Sequence, residues 1–245
     1  FTINGVKVGS GTIAVAFKPS SSNYTAPKDK TVSVTIERAK TETVPTQKDT
    51  LTYTGTKQSP TWNNYDTTKM TIGGVTSGTN AETYTATFTP TSNYAWSDGS
   101  TSAKSVNWVI NKAPLTVTAA NKSVTYGDAL PSYTYTITGF VNNETESVLT
   151  TKPTASCSYV RYGNVGSYPI TVSGAAATNY SFSYVNGTLT VNKRTVTATW
   201  PSKVSFEYNG STYTVTATIG NLVNSDAVTF TYTNSGSTKT SASAA

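Results

Sequence analysis

"NYSFSYVNGTLTVNK", residues 179–193, holds the strand ending on which the reading of this chain turns. From Gly187 onward Leu189 and Val191 share one face of an extended chain, while Thr188 and Thr190 share the other. The ending recurs twice upstream. "NYAWSDGSTSAKSVNWVINK", residues 93–112, puts Val106, Trp108 and Ile110 on one face, and "NYTAPKDKTVSVTIER", residues 23–38, does so with Val32, Val34 and Ile36. Each copy opens on Asn-Tyr, passes through a polar turn, regains the alternation and closes on a polar residue followed by Lys or Arg.

The pattern extends backward from each ending. A partner strand of the same rhythm precedes it, through Ile13, Val15 and Phe17, through Tyr84, Ala86 and Phe88, and through Tyr168, Ile170 and Val172. Opening strands repeat as well: "LTYTG" (51–55), "VTYGD" (124–128) and "FEYNG" (206–210) each place an apolar residue and a tyrosine on one face, with Gly55, Gly127 or Gly210 close behind. A turn with positive φ explains that glycine. In the Asn-Tyr pairs, Asn suits a turn, and the Tyr ring is expected to cover the open end of the core.

Endings at 38, 112 and 193 lie 74 and 81 residues apart, a spacing that marks an array of repeats. The chain divides accordingly: 1–39 is the C-terminal part of a β module, 40–112 and 113–193 are whole modules, and 194–245 is the N-terminal part of a fourth. The closing stretch "SGSTKTSASAA" has the composition of a flexible tail. Only two or three residues separate one closing strand from the next opening segment, which favours a stiff extended array over loosely strung beads. Any secretion or anchoring signal is expected outside this segment.

Composition agrees with an all-β chain. Charged residues are 12%, about half the usual share, and Thr, Ser, Asn and the 16 tyrosines take their place. Helix signal is confined to 141–149, where Asn142 or Asn143 could cap a single turn, and to the equivalent 222–228; a plain loop fits both stretches as well. The net charge of +6 comes from 18 basic residues scattered singly, with no basic run, so nucleic acid is not expected as a partner. No apolar run approaches membrane-spanning length, and membrane contact is not expected either.

Residues 113–193 resemble the MBG repeats of bacterial adhesins and other large surface proteins, through Tyr126-Gly127-Asp128 with Pro131, Gly139, Gly166 with Tyr168, and the run from Asn179-Tyr180 to Gly187-Thr188-Leu189. Residues 194–230 resemble the related YDG-type repeat, with "EYNG" replacing Tyr-Asp-Gly. Residues 40–112 are similar to Ig-like repeats of Gram-positive surface proteins and some phage virion proteins. The resemblance implies small, mostly β modules used in tandem on a cell or virion exterior. Ig-like sandwich and β-grasp modules both remain open, and there are no family catalytic residues to transfer.

The chemistry on offer is sparse. With no histidine, the imidazole-based triads and the commonest metal ligand are missing. The single Cys157 forms neither an intrachain disulfide nor a zinc site. Twelve acids are read as solvated turn carboxylates, Glu144 and Glu146 in one turn and Asp98 in another. "SDGS" (97–100) and "YGDA" (126–129) supply too few oxygens for calcium. No enzyme, cofactor or metal is therefore expected. Trp108 and Trp200 fall on apolar phases and read as core. Trp62 and Trp96, near turns and beside Tyr65 and Tyr94, are the candidate ligand-binding residues, either as a sugar platform or as an aromatic lid. The expected role is a structural stalk of an extracellular, cell-surface, adhesin-like protein, whose glycan or host-protein partners are met by regions outside this segment. The alternatives are a virion appendage, or a glycan- or host-protein-binding module.

Overall fold

A computed structural model describes residues 7–41, 43–202, 204–207, 209 and 215–229, and these are almost entirely strand and turn. The first two strands, β1 (Gly9–Val15) and β2 (Lys30–Ile36), form an antiparallel ribbon with Ile13 opposite Val32. The alternation sets the register, but burial does not accompany it: Val32 is 52% exposed and Tyr24 is 72% exposed. A two-stranded ribbon presents a single layer and has little to press its apolar face against. Tyr24 thus covers no core, unlike the expectation for its Asn-Tyr pair.

Residues 39–112 contribute β3 (Ala39–Lys40), β4 (Thr46–Gln47), β5 (Leu51–Thr52), β6 (Trp62–Asn63), β7 (Met70–Gly74), β8 (Thr83–Pro90), β9 (Tyr94–Ala95) and β10 (Lys104–Asn111). The main sheet runs β5-β10-β8-β7, with β5 parallel to β10 and the other neighbours antiparallel. β3 pairs with β9, and β4 with β6. Here the alternation becomes core: Ala86, Phe88, Trp108 and Ile110 are all buried. Tyr84 stacks on Trp108 at 4.5 Å, and the indole Nε1 of Trp108 donates to the Val75 carbonyl at 2.7 Å.

Residues 113–193 contribute β11 (Ala113–Ala119), β12 (Lys122–Thr125), β13 (Tyr135–Thr138), β14 (Thr154–Cys157), β15 (Gly166–Ser173), β16 (Tyr180–Val185) and β17 (Gly187–Asn192). One sheet runs β12-β17-β15-β14 and another β13-β11-β16. β12 lies parallel to β17, as β5 does to β10, and β15 is antiparallel to β17, as β8 is to β10. A parallel pair needs a long crossover, and the whole run of strands between opening and closing strand provides it. Ile170, Val172, Leu189 and Val191 are buried on the predicted phase, and Leu115 and Val117 of β11 are buried as well.

Among the described residues one helical turn forms, a 3₁₀ turn over Glu146–Val148, capped by Thr145, whose hydroxyl accepts from the Ser147 N–H. Asn142 and Asn143 cap nothing; they hold φ of 52° and 58°, a left-handed geometry that Asn tolerates. The equivalent 222–228 is a turn, with φ of 55° at Asn224 and 60° at Ser225.

β18 (Thr197–Thr199) and β19 (Thr218–Gly220) form a final antiparallel pair. Trp200, expected in a core, is 50% exposed, because it lies just past a three-residue strand in a two-stranded pair. Tyr208, Gly210 and the tail lie outside the described residues.

The chain gathers into two compact units. One holds the chain up to Leu115 with Thr138–Lys152 and Ala175–Ser183; the other holds Thr116–Ile137, Pro153–Gly174 and the chain from Tyr184 onward. The first has a core around Phe88, Trp96, Trp108, Ile110 and Tyr180, the second around Val117, Ile170, Val172, Leu189 and Val191. Phe88→Ala should destabilise the first unit by about 3–5 kcal/mol in denaturant unfolding. Ser105→Ala, on the exposed face of β10, should change it by no more than about 0.5 kcal/mol, and equal effects would show that the alternation does not carry the core.

Candidate functional site

The two candidate tryptophans are treated differently by the fold. Trp96 is 1% exposed and donates its Nε1–H to the Ser102 carbonyl at 2.8 Å, so its ring offers no face to a sugar. It serves the core, as the lid reading had it. Trp62 is half-buried and meets Phe88 edge to face at 4.9 Å; Tyr65 meets the same ring at 5.4 Å. Trp62 and Tyr65 border a cleft of about 420 Å³ whose polar walls include Lys40, Asn64, Asp66 and Lys69.

A second arrangement was not anticipated from the sequence, and it centres on acids read there as solvated. Within the first unit, Glu144 is half-buried and accepts hydrogen bonds on both oxygens, from the Tyr53 hydroxyl at 2.6 Å and from the Tyr180 hydroxyl at 2.5 Å. The two rings meet edge to face at 5.4 Å, and the Tyr180 hydroxyl accepts from the Val141 N–H at 3.2 Å. β5 delivers Tyr53 at its end, where the Tyr53 N–H bonds to the Asn111 carbonyl at 2.8 Å. Beyond it Gly55 turns with φ of 74° directly beneath Asn142, whose Nδ2 donates to the Gly55 carbonyl at 3.3 Å. A Cβ at Gly55 would lie 2.5 Å from the Asn142 Cβ.

The second unit contains the same construction. Tyr126 comes directly after β12, and its N–H bonds to the Asn192 carbonyl at 2.9 Å. Gly127, with φ of 86°, lies against Val223, and a Cβ there would come within 2.5 Å of a Val223 methyl. The Tyr126 phenol is held above its ordinary pKa first by a hydrogen bond with the Asp226 carboxylate and then by burial. Arg194 braces the turn by donating to the Tyr126 carbonyl at 2.7 Å and pairing with Asp128; Arg161 donates to the Gly127 carbonyl at 2.7 Å. Tyr126, Arg194, Val223 and Asp226 border a cleft of about 380 Å³.

Other acids close their own turns. The Asp98 carboxyl is held well below the usual carboxylate range, first by Lys104 at 2.8 Å and then by the hydroxyl and N–H of Ser100. Asp98 and Asp128, the carboxylates of the two turns weighed for calcium, are thus engaged by cations. Among the described residues no three His, Cys, Asp or Glu side chains come together, and no helix is long and apolar enough to cross a membrane. Cys157 is half-buried on β14. The Tyr-carboxylate pairing could not be foreseen because its members stand some ninety to a hundred positions apart. The signals that existed were the repeated Tyr-Gly turn and the repeated acidic turn.

Residues 115–190 match the family model of the MBG domain (YGX type). The matched stretch contains Tyr126-Gly127-Asp128, which fits the Tyr-Gly-X of that description, and it bears out the resemblance to MBG-type repeats of surface proteins read from the sequence. No curated protein matches the chain.

The tyrosines of the first site carry a pH signature. Burial, then the bond to Glu144, pushes the Tyr180 phenol up to about 12, and the bond to Glu144, then burial, raises Tyr53. An unfolded phenol ionises near 10.0 while the folded one keeps its proton, so this stabilisation is complete below pH 10 and drains away as pH rises toward 12. Absorbance titration of tyrosinate should show late-ionising groups that Tyr180→Phe reduces in number. Ionisation of every tyrosine in one step near pH 10 under folded conditions would refute it.

Proposed function

We propose that this chain is a structural stalk segment of an extracellular, adhesin-like bacterial surface protein, spacing a binding region away from the cell envelope. The observation that carries the reading is the recurrence, in both compact units, of a tyrosine–glycine turn packed against an acidic turn from far along the sequence. Such pairing fixes one repeat on the next, which is what a spacer needs and what a lone binding domain has no use for. The MBG-type match over residues 115–190 supports a surface-protein repeat. The acids described above work in turns and pairings, which supports a role without catalysis. On this reading glycan or host-protein partners are met by other regions of the parent protein, and nucleic acid and membrane are not partners of this segment.

A second reading has one observation in its favour, the half-buried Trp62 beside Tyr65 at a polar cleft, which would suit a saccharide ring. Glycan-array signal that Trp62→Ala abolishes would favour it; a blank array would remove it. The stalk reading is tested by small-angle scattering of the purified 245-residue chain. It requires a radius of gyration well above the roughly 18 Å of a compact globule of this length, and a value near 18 Å would overturn it.

A further inference from the structure

We infer that the Tyr-Gly turn is a docking socket whose partner is the acidic turn of the next repeat in the chain. The inference concerns which surfaces recognise each other, and it stands or falls separately from the stalk reading.

The two acidic turns share a backbone while differing in sequence. Val141–Glu144 and Val223–Asp226 both carry two successive central residues at positive φ, Asn142 and Asn143 in one, Asn224 and Ser225 in the other. That is the type I′ pattern. Both close by a bond from the acid's own N–H to the carbonyl three residues back, each 3.0 Å. In both, the carboxylate is the last residue of the turn, and a tight turn of this type aims it in one direction.

The sockets are alike in plan, with Thr54 between tyrosine and glycine in the first and no residue between them in the second. Each presents a tyrosine clipped by its N–H to the Asn carbonyl at the end of the closing strand, then a glycine at positive φ whose missing Cβ leaves room for the incoming turn. At the first socket the Tyr53 phenol donates to the Glu144 carboxylate, a pairing that strengthens a hydrogen bond. Neither the carboxylate nor the residue over the glycine is shared, and that residue stands second in its turn as Asn142 but first in its turn as Val223. The common factors are the turn type and a glycine at positive φ close behind a tyrosine.

The spacing ties both surfaces to one repeat. From Tyr126 to Glu144 is 18 residues, and from Tyr208 to Asp226 is again 18. In these two repeats a tyrosine thus stands 18 residues ahead of an acidic turn, and that turn reaches back to the repeat before: Glu144 to the Tyr53 hydroxyl, and Val223 to Gly127, with Asp226 and Tyr126 bordering one cleft. The Tyr-Gly-X signature of the matched domain then belongs to the joint between repeats as much as to the fold of one.

Hydrogen exchange on the intact chain tests this, comparing Asp226→Asn, Tyr126→Phe and the double variant. Each single variant should speed exchange of the β18 and β19 amides several-fold, and the double variant should do no more than the larger single. Protection in β15 and β17 should stay as it was. Unchanged exchange in β18 and β19, effects that multiply in the double variant, or loss of protection spreading to β15 and β17 in Asp226→Asn would each overturn it. Gly127→Ala gives an independent arm: it leaves both hydrogen-bonding groups in place but fills the space under Val223, and the same acceleration is expected.

Discussion

Two backbone hydrogen bonds organise the rest: the Tyr53 N–H to the Asn111 carbonyl and the Tyr126 N–H to the Asn192 carbonyl. Each extends the parallel ladder between an opening and a closing strand by one residue, so the first and last strands of a repeat end side by side. Parallel pairing obliges everything between them to fold as the crossover. It also delivers the tyrosine to the end of the closing strand, beside Asn111 or Asn192. There the Tyr53 phenol needs a partner, and the acidic turn that ends at Glu144 supplies a carboxylate.

Tyrosine suits this place for a physical reason. Its ring adds apolar area to a small core, while its hydroxyl, once removed from water, carries a cost unless bonded. Tyr180 shows both halves, with a buried ring between Tyr53 and Phe140 and a hydroxyl shared between Glu144 and the Val141 N–H. A chain with 12% charged residues and one cysteine forms no intrachain disulfide, and three ion pairs are found among its described residues. In the first unit the bonds from Tyr53 and Tyr180 to Glu144 tie distant segments together with neutral donors.

The strands were legible because period-two alternation needs only local information. Trp108 and Ile110, Ile170 and Val172, and Leu189 and Val191 are buried as their phase required, and Gly55 and Gly127 sit at positive φ as their turns required. Where alternation lacked a second layer it misled: Val32 and Trp200 carry the apolar phase yet stand half in solvent. The pairing of Tyr53 with Glu144 was illegible, since nothing in a strand pattern says which distant turn an edge tyrosine meets. Trp96 was open to two readings for a related reason: a tryptophan next to a turn can face either way, and it was the bond from its Nε1–H to Ser102 that settled it.

A third acidic turn shows why residue pattern alone falls short. Trp62-Asn63-Asn64-Tyr65-Asp66 matches Phe140-Val141-Asn142-Asn143-Glu144 and Leu222-Val223-Asn224-Ser225-Asp226 in its ring or aliphatic lead, its central Asn and its final acid, and Asn64 too has positive φ, at 59°. Yet Asp66 directs one oxygen to the N–H and hydroxyl of Thr68, at 2.8 and 2.6 Å, and the other toward Lys69 at 3.7 Å, and these contacts hold its carboxyl below the usual range, Thr68 foremost. The residues just C-terminal to the acid make the difference. Two places after Glu144 stands Glu146, and two places after Asp226 stands Val228, so neither carboxylate meets a side-chain donor at the position from which Thr68 engages Asp66. An acid with a donor at the second position folds onto its own turn, whereas one without such a donor, as Glu144, remains available to a tyrosine ninety residues away.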